Sequence, residues 1–415
     1  MKVAMKSIRS LSYYPLLIGL VWLFACQSKD HMEVQPINKI EASRLGPFVD
    51  TANIARTVLF GNDIEGVNFV RIPGLAKTKK GTLIAVCDAR VETNNDLPNN
   101  IDCIIRRSSD DGRTWGEVQT VLNMPGEEGV SDPSILVDQV TGTIWIFLNY
   151  SKAGVGVGTS QPGYGDDTIH ILAVRSDDDG LTWSEPVDIT RSVKAEDWRY
   201  VISSPGHGIQ LKDGTLLQTG YYAVPNTISR NPRAFAFYSK DHGRTWQRTK
   251  PVAQRVTEGM AVQLEDGRIL MNMRGQVNAR ALSYSSDLAG AWSALEYDQT
   301  LVEPGCQASI IKLQHGPAKG KDWLVFGNPA ATTRSNYTLR LSLDGGKSWV
   351  NSLPLWSQGA GYSDIVELSN GDLGVLYEKW GGRGSKAVLE FARVPKQLLI
   401  GKSFLPGSAA SPIND

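Results

Sequence analysis

The 415-residue chain has little cysteine, little histidine and no surplus of either charge, and each shortage removes a class of function. Its 43 basic and 43 acidic residues cancel, so it offers no electrostatic footprint for a nucleic-acid partner. Five histidines, His31, His170, His207, His242 and His315, form no paired spacing, and no metal site is expected. A glycine-rich phosphate loop is missing too, and no cofactor is implied. Of four cysteines, Cys26 directly follows an apolar N-terminal leader, so Cys87, Cys103 and Cys306 allow at most one internal disulfide. Cys87 and Cys103 fall on neighbouring predicted strands and could pair. No long amphipathic helical pattern is visible. What is abundant is glycine, at 41 residues, with 11 tryptophans, a composition that favours many short strands joined by tight turns.

The N-terminus reads as a targeting segment. Lys2, Lys6 and Arg9 precede the apolar run Tyr13 to Ala25, which is short for a bilayer span and fits a signal peptide. Leu23-Phe24-Ala25-Cys26 resembles the bacterial lipobox, which implies lipidation of Cys26, and QSKD after it resembles the export tags of surface lipoproteins of Bacteroidetes. The expected organisation is a leader over 1–25, a polar tether over 26–45, a folded domain over 46–402 and a loose tail over 403–415. The expected location is the bacterial outer membrane, surface-exposed or periplasmic, with membrane contact only through the anchor.

One motif returns along the rest of the chain. SSDDGRTW at Ser108, SDDDGLTW at Ser176, SKDHGRTW at Ser239 and SLDGGKSW at Ser342 share the pattern S-x-D-x-G-x-T-W, and SSDLAGAW at Ser285 is a worn copy. An Asp that can bond its own backbone, a Gly that tolerates positive φ and a large ring suit a tight turn. Asp177 to Asp179, which could otherwise hint at calcium, belong to such a turn. A hairpin signal precedes each copy: apolar alternation around a polar, glycine-bearing tip, as in GIQLKDGTLLQTGYY and AVQLEDGRILMNMRG. Six hairpins are present and five lead into a copy of the turn. Two hairpin strands plus one strand on each side of the turn make four per unit, a propeller-blade repeat. The expectation is an all-β, six-bladed β-propeller of four-stranded antiparallel blades, with ARTVLFG near Ala55 closing the ring and the protein a monomer.

Strand alternation sorts the loops by face. The Asp turns share a face with the hairpin tips, so chemistry is expected at the opposite end, where the first strands start and the second strands finish. Those positions hold Arg71, Arg90, Asp96, Asp132, Glu258, Arg274, Arg334, Tyr362 and Glu378. Any one alone would be a solvated loop charge. Gathered at one end from several blades, they form a candidate site.

FVRIPG, the Asp boxes, TEGMAVQLEDGRILMNMRG, TTRSNYTLRLSLDGGKSW and GYSDIVELSNGDLGVLYE together resemble exo-sialidases (neuraminidases) with Asp-box repeats, from about Val58 to Val394. The resemblance implies a carboxylate-binding triad of Arg71, Arg274 and Arg334, with Glu378 holding Arg71. It implies Tyr362 as nucleophile, Glu258 as its base and Asp96 as acid/base, and it places Arg90 and Asp132 near the 4-hydroxyl and N-acyl side of the sugar. Asp88 and Asp102 compete with Asp96, and the spacing from Arg71 favours Asp96. The implied partners are sialylated glycans or glycoproteins. Transfer or anhydro-forming variants share this core, and a non-catalytic carbohydrate-binding propeller is the reading from a different class. The rim segments, 151–167 and 219–226, match no pattern of the family.

Overall fold

The computed structural model describes residues 53–61, 63–225, 231–252, 254–381 and 384–401. The expected leader, the Cys26 lipidation site, the 26–45 tether and the 403–415 tail lie outside them. Among the described residues the helical elements are two four-residue helices, Thr190–Val193 and Gln397–Ile400, and one 3-10 turn, Gly316–Ala318. The fold is all-β. Glycine-tipped hairpins form where the alternation predicts them: Phe69–Lys77 with Leu83–Arg90, Gly129–Val137 with Ile144–Ser151, and Gly259–Gln263 with Ile269–Met273 are antiparallel pairs.

Among the described residues the strands form five hydrogen-bonded sheets. Four hold four or five strands, and the fifth holds seven. The long strand of that fifth sheet, Asn351–Glu367, explains its size. Its first half pairs with Ser335–Ser342 and its second half, from Gly359 on, pairs with Leu373–Trp380. Ala55–Phe60 pairs with Val388–Val394, so the first strand among the described residues meets the last.

Apolar residues fill the spaces between consecutive sheets. Val86 and Ile105 of the first sheet pack with Ile135 and Ile146 of the second, Phe147 meets Phe237 of the third, and Ala236 meets Met271 of the fourth. The series closes on itself where Leu83 and Cys87 meet Leu376, Leu389 and Phe391. At roughly 1.5–3 kcal/mol for each large apolar side chain buried, these layers supply the main drive for a propeller-like array.

The Asp boxes are local turn devices. In the first, Ser108 Oγ donates to Asp110 Oδ1 (2.8 Å), and that oxygen accepts from the N–H groups of Arg113 (3.0 Å) and Thr114 (2.9 Å). Thr114 Oγ1 donates to Asp110 Oδ2 (2.7 Å). The worn copy, which has Ala289 and Ala291 in place of Gly and Thr, keeps Asp287 bonded to the Ala289 N–H (2.9 Å). Three of the boxes reach the hairpin tip of a neighbouring sheet: Asp179 accepts from Thr78 and Thr82 (2.6 Å each), His242 pairs with Asp138 (2.7 Å), and Asp111 accepts from Ser369 Oγ (2.9 Å). Boxes and tips therefore share one face, as strand alternation requires.

Cys87, Cys103 and Cys306 are buried free thiols. Cys87 lies opposite Ile104 and Cys103 opposite Asp88. Successive residues of a strand face opposite ways, so the two thiols point into different apolar layers and cannot bridge.

Candidate active site

The other face carries the site, and irregularities in the innermost strands shape it. Register shifts fall between Arg71 and Gly74, between Ser131 and Ser134, and between Ala360 and Ser363. A bulge re-aims side chains, and each of these three delivers one site residue: Arg71, Asp132 and Tyr362. Ile72 and Asp132 sit at φ 60° and 55°. For a β-branched residue that is a strained conformation, and such strain concentrates at functional sites. Below the bulges Asp364 binds the inner strands together, accepting from Leu75 N–H (2.8 Å) and Ser309 Oγ (3.0 Å) and pairing with His207 Nδ1 (2.6 Å). The floor of the site is thereby tied to several strands at once.

Arg71, Asp96, Asp132, Glu258, Arg274, Arg334 and Tyr362 line one cavity of about 200 Å³. Seven of the nine side chains expected at the site meet there, and the other two stand behind the wall. Glu378 is fully buried and grips Arg71 through two bonds, Nε to Oε1 (2.9 Å) and Nη2 to Oε2 (3.2 Å). It also accepts from the N–H groups of Ile72 (2.9 Å) and Tyr362 (3.0 Å). Burial pushes its carboxyl upward, yet Arg71 and these N–H groups together hold it below its ordinary value. Arg90 is also fully buried. It donates to Asp88 Oδ2 from Nε (3.2 Å) and Nη2 (3.0 Å), to Asn94 O (2.7 Å) and to Asp96 Oδ1 (2.9 Å).

Tyr362 sits where these contacts converge. Its hydroxyl donates to Glu258 Oε1, and Arg274 Nη1 donates to both Glu258 Oε2 (3.0 Å) and the Tyr362 oxygen (3.3 Å). Arg274 N–H to Glu258 O (2.8 Å) and Thr257 N–H to Arg274 O (3.1 Å) continue the ladder of the fourth hairpin, which sets Glu258 and Arg274 side by side. The guanidinium carbons of Arg71 and Arg334 stand 5.5 and 5.4 Å from the centre of the Tyr362 ring. Burial raises the phenol well above its usual value and Glu258 adds to this, against the pull of Arg274 and Arg334. The resting group is a neutral phenol hydrogen-bonded to the Glu258 side chain.

Asp96 projects into the cavity from an exposed loop, with its side chain 79% exposed. Glycines hold that loop. A side-chain carbon on Gly156 would stand 2.5 Å from both Leu97 O and Pro98 Cδ, and one on Gly129 would overlap Asn99 O. Asp132, opposite, has its carboxyl pushed well up by burial and by Asp88, Asp96 and Glu258, with Arg90 opposing.

Several contributors escape motif reading. Val157 and Tyr221 come from the two rim segments without a pattern, and both line the cavity. Asp88 joins the two walls: beyond Arg90 it accepts from Ser131 Oγ (3.0 Å) and from the Asp132 N–H (2.9 Å). Its signal was the spacing D-x-R, because residues two apart on a strand share a face.

Comparison with known proteins matches residues 77–375 to the BNR repeat-like domain. A sialidase of Bacteroides fragilis is 36% identical over 74% of this chain and 59% of its own length. A sialidase of Micromonospora viridifaciens is 36% identical over 76% of this chain and 51% of its own. Among solved structures, the Hadza microbial sialidase Hz136 is 34% identical, with a TM-score of 0.73, covering 80% of this chain and 66% of that one. The leech intramolecular trans-sialidase complexed with 2,7-anhydro-Neu5Ac has a TM-score of 0.74 at 21% identity, covering 83% of this chain and 70% of that one, a likeness of fold. The match thus spans between half and two thirds of the sialidases at 34–36% identity. On the repeat domain and these relatives together, the chain belongs to the sialidase family with BNR repeats.

Proposed function

We propose that this protein is a retaining exo-α-sialidase that removes terminal sialic acids from glycans and glycoproteins. In this reading it is a six-bladed propeller of four-stranded blades, held outside the cytoplasm by a lipid on Cys26. The blade count rests on dividing the seven-stranded sheet at Gly359, where Asn351–Glu367 exchanges partners.

The observation that carries the reading is the Tyr362–Glu258 hydrogen bond at the base of a cavity lined by three guanidiniums. Sialic acid bears a carboxylate on its anomeric carbon, and Arg71, Arg274 and Arg334 can bind it through planar charge-assisted contacts. The same carboxylate would repel an Asp or Glu nucleophile. A neutral phenol avoids that repulsion, and tyrosine is the nucleophile that sets sialidases apart among glycosidases. The Tyr362 oxygen attacks the anomeric carbon as Glu258 takes the phenolic proton, while Asp96 gives its proton to the departing glycosidic oxygen. Water then attacks the same carbon and Asp96 takes its proton. The Tyr362 oxygen leaves and recovers the proton from Glu258. Two inversions retain the configuration.

The test is hydrolysis of a fluorogenic α-sialoside by the wild type and by Tyr362→Phe, with the first product followed by NMR. The α-anomer of free sialic acid is expected from the wild type, and a loss of at least about 100-fold in turnover from the variant. A folded wild-type protein inactive on every sialic acid form tried would sink the reading. Recovery of an anhydro sugar or a transferred sialoside would redirect it to the variants that share the core.

A further inference from the structure

A second cavity of about 430 Å³ opens beside the first. The two share Val157, Tyr221 and Arg274. Its remaining walls include Tyr200, Thr257, Gln276 and Asn278, all uncharged side chains with hydrogen-bonding groups. Arg274 is the one charged side chain on its wall among the described residues, and it is already directed at Glu258 and Tyr362.

The order of groups around the sugar indicates what enters this space, on the strength of the function proposed above. With the C2 carboxylate on the arginines and C4 and C5 turned to the Asp132 side, C6 comes next around the ring. Next around the wall after Asp132 come Tyr221 of the third sheet and then Thr257 and Arg274 of the fourth. The C7–C9 arm on C6 therefore points through the shared wall into the second cavity. That arm has six heavy atoms. At no more than the roughly 30 Å³ of a liquid water each, they fill at most about 180 Å³, leaving more than half of the space.

We propose that the second cavity is a subsite for substituents on the C7–C9 arm, and that the enzyme accepts sialic acids acylated at C9. A neutral polar wall suits an acyl ester or amide, whose carbonyl needs a donor and whose short chain needs no charge. The Tyr200 and Tyr221 rings, 6.3 Å apart in an edge-to-face pair, offer apolar surface for the acyl methyl.

The experiment compares kcat/KM for two α-sialosides with the same aglycone, one unsubstituted and one carrying a 9-acetamido group, which does not migrate as an ester would. The expected ratio lies within threefold of one. Cleavage of the unsubstituted donor with a tenfold or greater loss on the 9-acetamido donor overturns this inference and leaves the parent function standing. Cleavage of neither overturns both. Gln276→Trp, which adds bulk at an exposed wall residue of the second cavity, should lower the ratio of substituted to unsubstituted donor at least fivefold. An unchanged ratio would mean that the acyl group lies elsewhere.

Discussion

Gly361 lies so close to Glu378 that a side-chain carbon on it would overlap Oε2, the oxygen that accepts from Arg71 Nη2 and from the Tyr362 N–H. The residue before the candidate nucleophile is therefore small for an electrostatic reason: its missing side chain lets a buried carboxylate reach two neighbours at once. Gly361→Ala should displace Glu378 and break the paired contact with Arg71. Overpacking of this kind costs about 1–3 kcal/mol, read as a lower Tm. Under the proposed reaction it should also raise KM for a sialoside by roughly tenfold, the scale of one charge-assisted bond. A variant matching wild type in both would show that Glu378 tolerates displacement.

Two of the three arginines should separate kinetically. Arg334 donates to Gly305 O (3.3 Å), whereas Arg274 touches both Glu258 and the Tyr362 oxygen. Arg334→Ala should chiefly raise KM, by about 10–100-fold from the loss of a bond to a charged group of about 1.5–3 kcal/mol. Under the proposed reaction, Arg274→Ala should raise KM and also lower kcat, because it frees Glu258, the group proposed to receive the phenolic proton. Equal effects on both parameters from the two variants would remove the distinction.

The contrast between what motifs revealed and what they missed has a physical basis. Arg71, Glu258, Arg274 and Tyr362 were legible because they sit at fixed offsets from hairpins whose alternation is strong. The hairpins themselves follow from apolar strands, buried on both faces, around polar glycine-bearing tips, and the Asp boxes from turn chemistry confined to eight residues. Val157 and Tyr221 were not legible, because a rim wall is set by how loops pack against each other. Gly156 against Leu97 and Pro98 is such a contact, 59 and 58 residues apart in sequence. Asp88 stood in the sequence as a rival to Asp96 for the acid. Its full burial shows a different position, inside the wall and closed to the cavity.

Asp88 should therefore govern stability against pH in a particular direction. Burial lifts its carboxyl to about 6, against the opposing pull of Arg90 and the hydrogen bonds it accepts. An unfolded Asp titrates near 3.9, so between about pH 4 and pH 6 the folded chain holds a proton that the unfolded chain has lost. Asp88's contribution is most favourable below about pH 4 and is lost as pH rises through about 6. The difference in Tm between wild type and Asp88→Asn should therefore fall steadily from pH 4 to pH 6. Asn cannot accept at both positions, so it should also leave one donor of Arg90, Ser131 or Asp132 unmet, at about 1–3 kcal/mol. A difference in Tm that is flat with pH would assign the titration to another group.

The Asp boxes should behave oppositely to Asp88, both in pH and in function. The N–H of Thr114, followed by its hydroxyl, holds the Asp110 carboxyl down at about 2, and Asp241 is held at about 2 by Thr245 and Ser239 despite some burial. A depressed carboxyl contributes stability above the unfolded value near 3.9 and loses it as pH falls through about 2. Thr114→Val removes the hydroxyl that donates to Asp110 Oδ2 and should lower Tm at neutral pH. That difference should narrow as the solution is acidified through about pH 2. Because the boxes share a face with the hairpin tips, away from Tyr362, kcat/KM on a sialoside should stay within about twofold of wild type at temperatures where both proteins are folded. A large loss of activity in a fully folded Thr114→Val protein would mean that the box face takes part in the reaction after all.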